Sequence, residues 1–348
     1  MCRHLTVDND DILDQLEMCK FDLAVVDIFY ARRCVCLIPH RLQIPWISLS
    51  LAGTASYMMR VPWPSSIAPP DVMSLFPMSH QLNFVDRLQN TLISFATRVG
   101  APFYYQEPPS EVLEKFRRYG HFGSLQELVS RSAMWFLTSD YVFDYPRPMM
   151  PNMISIYGLT VQRSTGELPS DIQNFIGGAE KGVILMSFGS FVSIISNDVI
   201  EKFSTTFRQL GSYRVIWRLD NKHNVELPDN VMISYWLPQN DILAHPSVKL
   251  FITHAGHNGH AEAVYNGVPM IAFPILGDQF YNARLFENKG YGIRMELCDF
   301  TADQLLDNIH KVLDDRSYKQ RARKASEIFQ SQAQSVVERA TFWIEHVC

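Results

Sequence analysis

Long apolar runs are missing from this sequence of 348 residues. The longest, Ile44 to Ala52 and Val268 to Leu276, fall well short of the roughly 18 to 20 residues needed to cross a bilayer as a helix. The opening residues, MCRHLTVDNDD, turn acidic where a secretory signal would carry its apolar core, so no signal peptide is read there. A surplus of positive charge is missing too: 31 basic against 36 acidic residues leave a net charge of -5, which argues against a nucleic-acid partner. The six cysteines, Cys2, Cys19, Cys34, Cys36, Cys298 and Cys348, form no CxxC and no regular spacing, so they are expected to be mostly free, buried thiols. No internal repeat is found, and the one biased tract is the proline-rich run from Val61 to Pro77, read as a surface loop because proline removes donors and restricts its neighbours.

What is present is a composition that folds: 47% hydrophobic and 19% charged residues, in a chain long enough for two domains. Asp8 to Lys20 reads as a helix, with strands at Phe21 to Asp27 and Ile44 to Ser50, helices at Leu82 to Val99 and Glu111 to Tyr119, and a buried strand at Ala133 to Asp140. Turn formers on either side of a short strand, Met153 to Tyr157, suggest an interdomain connection. Beyond it, strands at Val183 to Ser187, Tyr213 to Leu219, Val231 to Tyr235, Val248 to Thr253, Val268 to Phe273 and Gly292 to Leu297 are interleaved with helical segments, which implies a parallel sheet covered on both faces. Thr301 to Asp314 and Ser317 to Val347 read as amphipathic helices closing that domain.

The candidate chemistry lies at the ends of these later strands. In FITHAGHNGHAEA, an apolar strand is followed by Gly256, Asn258 and Gly259 and then by a helix; glycine allows close backbone approach, and the free N–H groups and dipole of a helix start favour a phosphate. A tight βα turn alone also explains such glycines. His254 ends the strand, where its ring can donate to a phosphate oxygen or be a core histidine, and Glu262 lies one turn into the helix, placed for ribose hydroxyls or as a dipole partner. Asp278 and Gln279, an acid beside an amide, suit a polyol or an ordinary helix cap. Trp236 and Gln239 offer a stacking face and an edge contact for a planar base, although a lone tryptophan is more often core. His254, His257 and His260 spread round a helix and lack an HExxH pattern, so no metal site is expected.

Taken together, WLPQNDILAHPSVKLFITHAGHNGHAEAVYNGVPMIAFPILGDQ, Trp236 to Gln279, resembles the signature of the UDP-glycosyltransferases, in their animal branch that includes the UDP-glucuronosyltransferases. FDLAVVD, DYPRPMMPN, GVILMSFGS and NARLFENKGYGIRM extend the resemblance over most of the chain. It implies an α/β fold of the GT-B type, two facing Rossmann-like domains with parallel sheets, the first incomplete. The expected division is a partial acceptor-binding domain over 1–160, a linker over 161–178, a UDP-sugar-binding domain over 179–335 and a C-terminal helix over 336–348.

By the same resemblance Trp236 and Gln239 would hold the uracil, His254, Gly256, Asn258 and Gly259 the diphosphate, Glu262 the ribose, and Asp278 with Gln279 the sugar hydroxyls. Ser187, Gly189 and Ser190 resemble the family's other diphosphate-facing turn, and Asp27 falls at its catalytic aspartate, which orients the histidine that takes the acceptor's proton. That histidine finds no counterpart, His4 being too near Asp27 in sequence, and a truncated member is expected, lacking the family's opening segment and its membrane anchor. The implied function is transfer of glucuronate or glucose from a UDP-sugar to a hydroxyl of a small lipophilic acceptor, with inversion, without metal or other cofactor, at the endoplasmic reticulum membrane. The membrane would be reached only through segments outside this chain. Alternatives are UDP-sugar binding without turnover, and a UDP-sugar epimerase of the same architecture.

Overall fold

The computed structural model describes residues 10–28, 33–50, 83–89, 91–92, 95–96, 108–144, 149–189, 195–219 and 224–348. The proline-rich run, His4, Cys2 and Ser190 lie outside them. The described residues form two compact units: one comprises those up to Tyr157 together with Gln334–Cys348, and the other Gly158–Ala333.

The first unit is built on strands β1 (Ala24–Asp27), β2 (Trp46–Ser50), β3 (Met134–Leu137) and β4 (Met153–Ser155), in that order and all parallel. Both faces are covered, and the side-chain period of two sorts them. Trp46, Trp135 and Leu137 enter a core with Leu13, Leu37, Val112, Phe116, Leu125 and Leu128 from helices on one face. Ile47, Met134 and Phe136 point the other way, toward Ala340, Trp343 and Ile344 of the helix Val336–Val347. Arg41, almost fully buried, fastens the helix Asp10–Met18 to Leu37–Leu42 by pairing with Asp10, Asp14 and Glu17.

The expected helix Ser317 to Val347 is two helices, Arg316–Gln330 and Val336–Val347. The second starts afresh at a capping box: Ser335 Oγ accepts from the Glu338 N–H, and Glu338 Oε2 accepts from the Ser335 N–H at 2.9 Å. The cysteine expectation also needs correction. Among the described residues Cys34 carries a disulfide, and of the free thiols only Cys36 is buried, its pKa pushed up to about 12 by desolvation, while Cys19, Cys298 and Cys348 are exposed.

The second unit holds a six-stranded parallel sheet. In chain order its strands are β5 (Gly182–Ser187), β6 (Tyr213–Arg218), β7 (Val231–Ser234), β8 (Val248–Thr253), β9 (Met270–Ala272) and β10 (Gly292–Arg294). Across the sheet they run β10-β9-β8-β5-β6-β7. The chain starts in the middle at β5, winds outward through β6 and β7, returns to β8 beside β5, and winds outward the other way. This is the doubly wound Rossmann order, and its reversal point lies between β5 and β8, the place where folds of this order form a crevice outside the carboxyl ends of their strands.

One face of this sheet packs Ile184, Met186, Val215, Trp217, Leu250 and Ile252 against Phe203 and Phe207 of the helix Asn197–Gln209 and Leu305 and Ile309 of Ala302–Asp314. The alternate residues Leu185, Ile216 and Phe251 are equally buried. Strands buried on both faces explain why they read as continuous apolar runs. Among the described residues no helix is long and apolar enough to cross a membrane.

Candidate functional site

Two turns flank the reversal point. After β5 the chain passes through buried Ser187, whose Oγ accepts from the Gly189 N–H at 3.3 Å, and reaches Gly189 at φ +74°, a left-handed conformation that glycine adopts without strain. After β8 it passes through His254 and Ala255, the latter at φ +63°, before Gly256 starts the helix His257–Tyr265. The His254 ring lies against both glycines: a Cβ on Gly189 would come within 2.8 Å of Cε1 and Nε2, and one on Gly256 would run into Nε2. Two glycines from two separate turns thus make the slot that holds one imidazole.

That imidazole is neutral at physiological pH. Burial pushes its pKa down to about 4, with Arg218 adding to the fall and the nearby Ser187 backbone opposing it. Its Nδ1 is shut off from solvent. The helix that follows has no side-chain cap, and the N–H groups of its first turn lack intrahelical acceptors. Arg218, the last residue of β6, donates from Nη1 to the Gly189 carbonyl and lies 5.7 Å from the Tyr235 ring centroid. A fixed cation and an uncapped helix start form a surrounding suited to an anion.

Beside the helix start, Gln239 opens the helix Gln239–Ala244 and donates from Nε2 to Glu262 Oε2 at 2.6 Å. Its amide nitrogen would stand 3.3 Å from a Cβ on Gly259, so only glycine leaves it clear room. Glu262 is largely buried, and desolvation raises its pKa while the Gln239 bond works against that rise. Trp236 and Tyr235 are instead 72% and 71% exposed, which leaves the indole face free to stack on a planar ligand.

Asp278 and Gln279 sit at the turn before the helix Gln279–Lys289. Desolvation raises the Asp278 pKa, and the bond from Asn282 Nδ2 to Asp278 Oδ2, at 2.9 Å, opposes that. Gln279 is buried, and its Oε1 accepts from the N–H groups of Ile275 and Leu276 at 2.8 and 2.9 Å, so its carbonyl serves the turn. His260, by contrast, is a core residue: fully buried, with Nε2 3.2 Å from the Tyr291 hydroxyl and its ring edge-on to Phe286.

The second unit therefore carries Ser187, Gly189, His254, Gly256, Asn258, Gly259, Gln239, Glu262, Asp278 and Gln279 on the strand ends, turns and helices that follow the carboxyl ends of its strands, with Trp236 exposed after β7. Asp27 belongs to the first unit, as the last residue of β1. Ser190 is outside the described residues. Two residues passed over in the sequence complete the arrangement. Arg218 has a signal of its own, a cation at a strand's carboxyl end beside the central strand, whereas Asn282, which ties Ala255 to Asp278 through bonds of 3.0 and 2.9 Å, has none.

Fold and site define a GT-B type α/β protein whose second unit carries a doubly wound Rossmann sheet. The family model for UDP-glucoronosyl and UDP-glucosyl transferase matches residues 1–348, and the chain belongs to that family. It is 32% identical over 344 residues to 2-hydroxyacylsphingosine 1-beta-galactosyltransferase from Mus musculus, covering 99% of this chain and 62% of the relative. It is 33% identical to human UDP-glucuronosyltransferase 3A1, covering 99% and 65%, and 34% identical to UDP-glucosyltransferase 2 of Dactylopius coccus, covering 94% and 63%. The chain thus spans less than two thirds of the length of these relatives. Among solved structures, the glycosyltransferase of kitacinnamycin superposes with a TM-score of 0.66 at 20% identity, covering 100% of this chain and 83% of that one. The glycosyltransferase VinC, in complex with DTDP, superposes at 0.65 and 15%, covering 97% and 75%.

Proposed function

We propose that this chain binds a UDP-sugar at the β5–β8 crevice and serves the transfer of its sugar, glucuronate or glucose, to a hydroxyl of a small lipophilic acceptor with inversion. The observation that carries the proposal is the His254 ring held between Gly189 and Gly256, with Arg218 at its side and the uncapped helix His257–Tyr265 behind it. In this reading His254, Gly256, Asn258, Gly259, Ser187, Gly189 and Ser190 receive the diphosphate. Trp236 stacks on the uracil and Gln239 meets its edge, Glu262 accepts from the ribose hydroxyls, and Asp278 with Gln279 holds the sugar.

A neutral histidine suits this role. It donates one hydrogen bond to a phosphate oxygen without a proton being taken up, and Arg218 and the helix dipole supply the positive potential. The leaving group is then a stabilised UDP, and the reaction needs no metal. Residues 179–335 are the donor domain in this scheme, and 1–160 belong to the acceptor domain, joined by 161–178. Asp27 is the residue that orients a general base, and the endoplasmic reticulum membrane is the place of action.

A second reading, donor binding without transfer, is supported by the candidate donor contacts lying within the second unit, apart from Asp27 in the first. One experiment separates the two: UDP release measured with UDP-glucose and UDP-glucuronate, with and without a panel of phenolic acceptors. Acceptor-dependent release supports transfer, tight donor binding with no release supports the second reading, and release without acceptor contradicts both in favour of another use of the donor.

A further inference from the structure

Asn258 occupies the second position of the helix His257–Tyr265, and its side chain is exposed beside the crevice. The Thr160 hydroxyl donates to its Oδ1 at 3.2 Å. Thr160 does not swing freely. Two residues earlier Gly158 turns at φ +79°, where a Cβ would come 2.6 Å from Phe329 Cζ, so the turn is packed tightly on that ring.

Downstream, Asn240 Nδ2 donates to the Gln162 carbonyl at 2.7 Å, and Asp241 Oδ1 accepts from Ser164 Oγ at 2.7 Å and from the Thr165 N–H at 3.0 Å. Asn240 is itself fixed, since its Oδ1 accepts from Asn266. Asn240 and Asp241 follow directly on Gln239, the residue that holds Glu262. The segment 158–165 is therefore a strap, anchored on the helix that carries one group of candidate donor contacts and touching, through Thr160, the helix that carries the other.

A carboxamide has one face that donates and one that accepts. Turned the wrong way, Asn258 would present its carbonyl oxygen to an anion at the helix start and repel it. With Oδ1 occupied by the Thr160 hydroxyl, Nδ2 is the group left to face outward. We propose that Thr160 is a positioning residue of the donor site: it holds the Asn258 carboxamide in the orientation that donates to the diphosphate. The inference rests on the donor-site reading above.

The test is calorimetric titration of the purified chain with UDP and with uridine, which lacks phosphate. Thr160→Val is expected to weaken UDP binding about 3- to 10-fold, the loss of roughly one hydrogen bond's worth of orientation, and to leave uridine binding unchanged. Thr160→Ser, which keeps the hydroxyl, is expected to restore UDP binding. In an Asn258→Ala background Thr160→Val is expected to change nothing further, because the two residues act as one unit.

Equal losses for UDP and uridine would overturn the inference, since they would mean the strap supports the whole unit. So would a Thr160→Val effect that persists in the Asn258→Ala background, or wild-type UDP binding that Thr160→Val leaves untouched; in these cases the donor-site reading survives. If the wild-type chain binds neither UDP nor uridine, the donor-site reading fails and takes the inference with it.

Discussion

Gln239 donates to the carboxylate of Glu262 across 2.6 Å, so two residues expected to serve different parts of one ligand hold each other in place. The bond secures a carboxylate whose pKa burial has raised, and this gives it a pH signature. Acceptance from ribose hydroxyls needs the ionised form. UDP affinity is therefore predicted to fall on acidification, beginning above the ordinary glutamate value of 4.5, and Glu262→Gln is predicted to bind weakly at every pH with that dependence flattened. Titrations at pH 5 and 7.5 decide it; a wild type and a variant with the same pH profile would remove Glu262 from the site.

The slot around His254 makes a steric prediction. Gly189→Ala meets both the imidazole and a left-handed backbone, and Gly256→Ala meets the imidazole, so each is predicted to lower stability by about 1–3 kcal/mol and to weaken UDP binding. Gly211→Ala is the control, because nothing lies within 4 Å of its added carbon and its φ is not positive. Chemical denaturation of the three variants checks the ranking; similar stabilities for Gly256→Ala and Gly211→Ala would contradict it.

Two tryptophans should behave in opposite ways. Trp236 is exposed, so Trp236→Ala is predicted to leave stability within about 0.5 kcal/mol of wild type while costing about 1–3 kcal/mol of UDP binding through lost stacking. Trp217 is fully buried beside Phe203 and Phe207, and Trp217→Ala is predicted to cost about 3–5 kcal/mol of stability. Unfolding curves beside UDP titrations separate the two, and undiminished UDP binding by a folded Trp236→Ala variant would count against the stacking role.

Stability should also fall in acid. The pKa values of His254 and His260 are depressed to about 4 and about 3, chiefly by desolvation, so the unfolded chain binds protons that the folded chain refuses. The stability these neutral rings contribute is complete above the ordinary histidine value of 6.5 and is lost as pH falls from there toward the folded values. His260→Phe, which removes one of the two sites, is predicted to show a shallower fall in Tm between pH 7 and 5 than wild type. An unchanged slope would mean that other groups govern the acid response.

Much of this architecture can be read from residue patterns. The strand Val183 to Ser187 corresponds to β5 and Val248 to Thr253 to β8, because strands buried on both faces form apolar runs bounded by turn residues. Strand ends are less legible: the runs Phe21 to Asp27 and Ala133 to Asp140 shrink to Ala24–Asp27 and Met134–Leu137, since a strand stops where its neighbour stops, which lies elsewhere in the chain. The break before Val336 was present in the S-x-x-E pattern at Ser335 and Glu338 but was masked by helical periodicity on both sides. The grip of Gly189 and Gly256 on His254, and the link of Asn282 to Asp278, join residues from different turns. No local pattern carries them.

The most direct test of the central claim is calorimetric titration of the purified chain with UDP, UDP-glucose and UDP-glucuronate, in wild type and in Asp278→Ala. A donor site at the β5–β8 crevice predicts that wild type binds all three, and that Asp278→Ala weakens both UDP-sugars while leaving UDP nearly unchanged, because in the proposed scheme the aspartate meets only sugar hydroxyls. A folded wild-type chain that binds none of them would contradict the account, and equal losses for UDP and the UDP-sugars would place Asp278 elsewhere in the site.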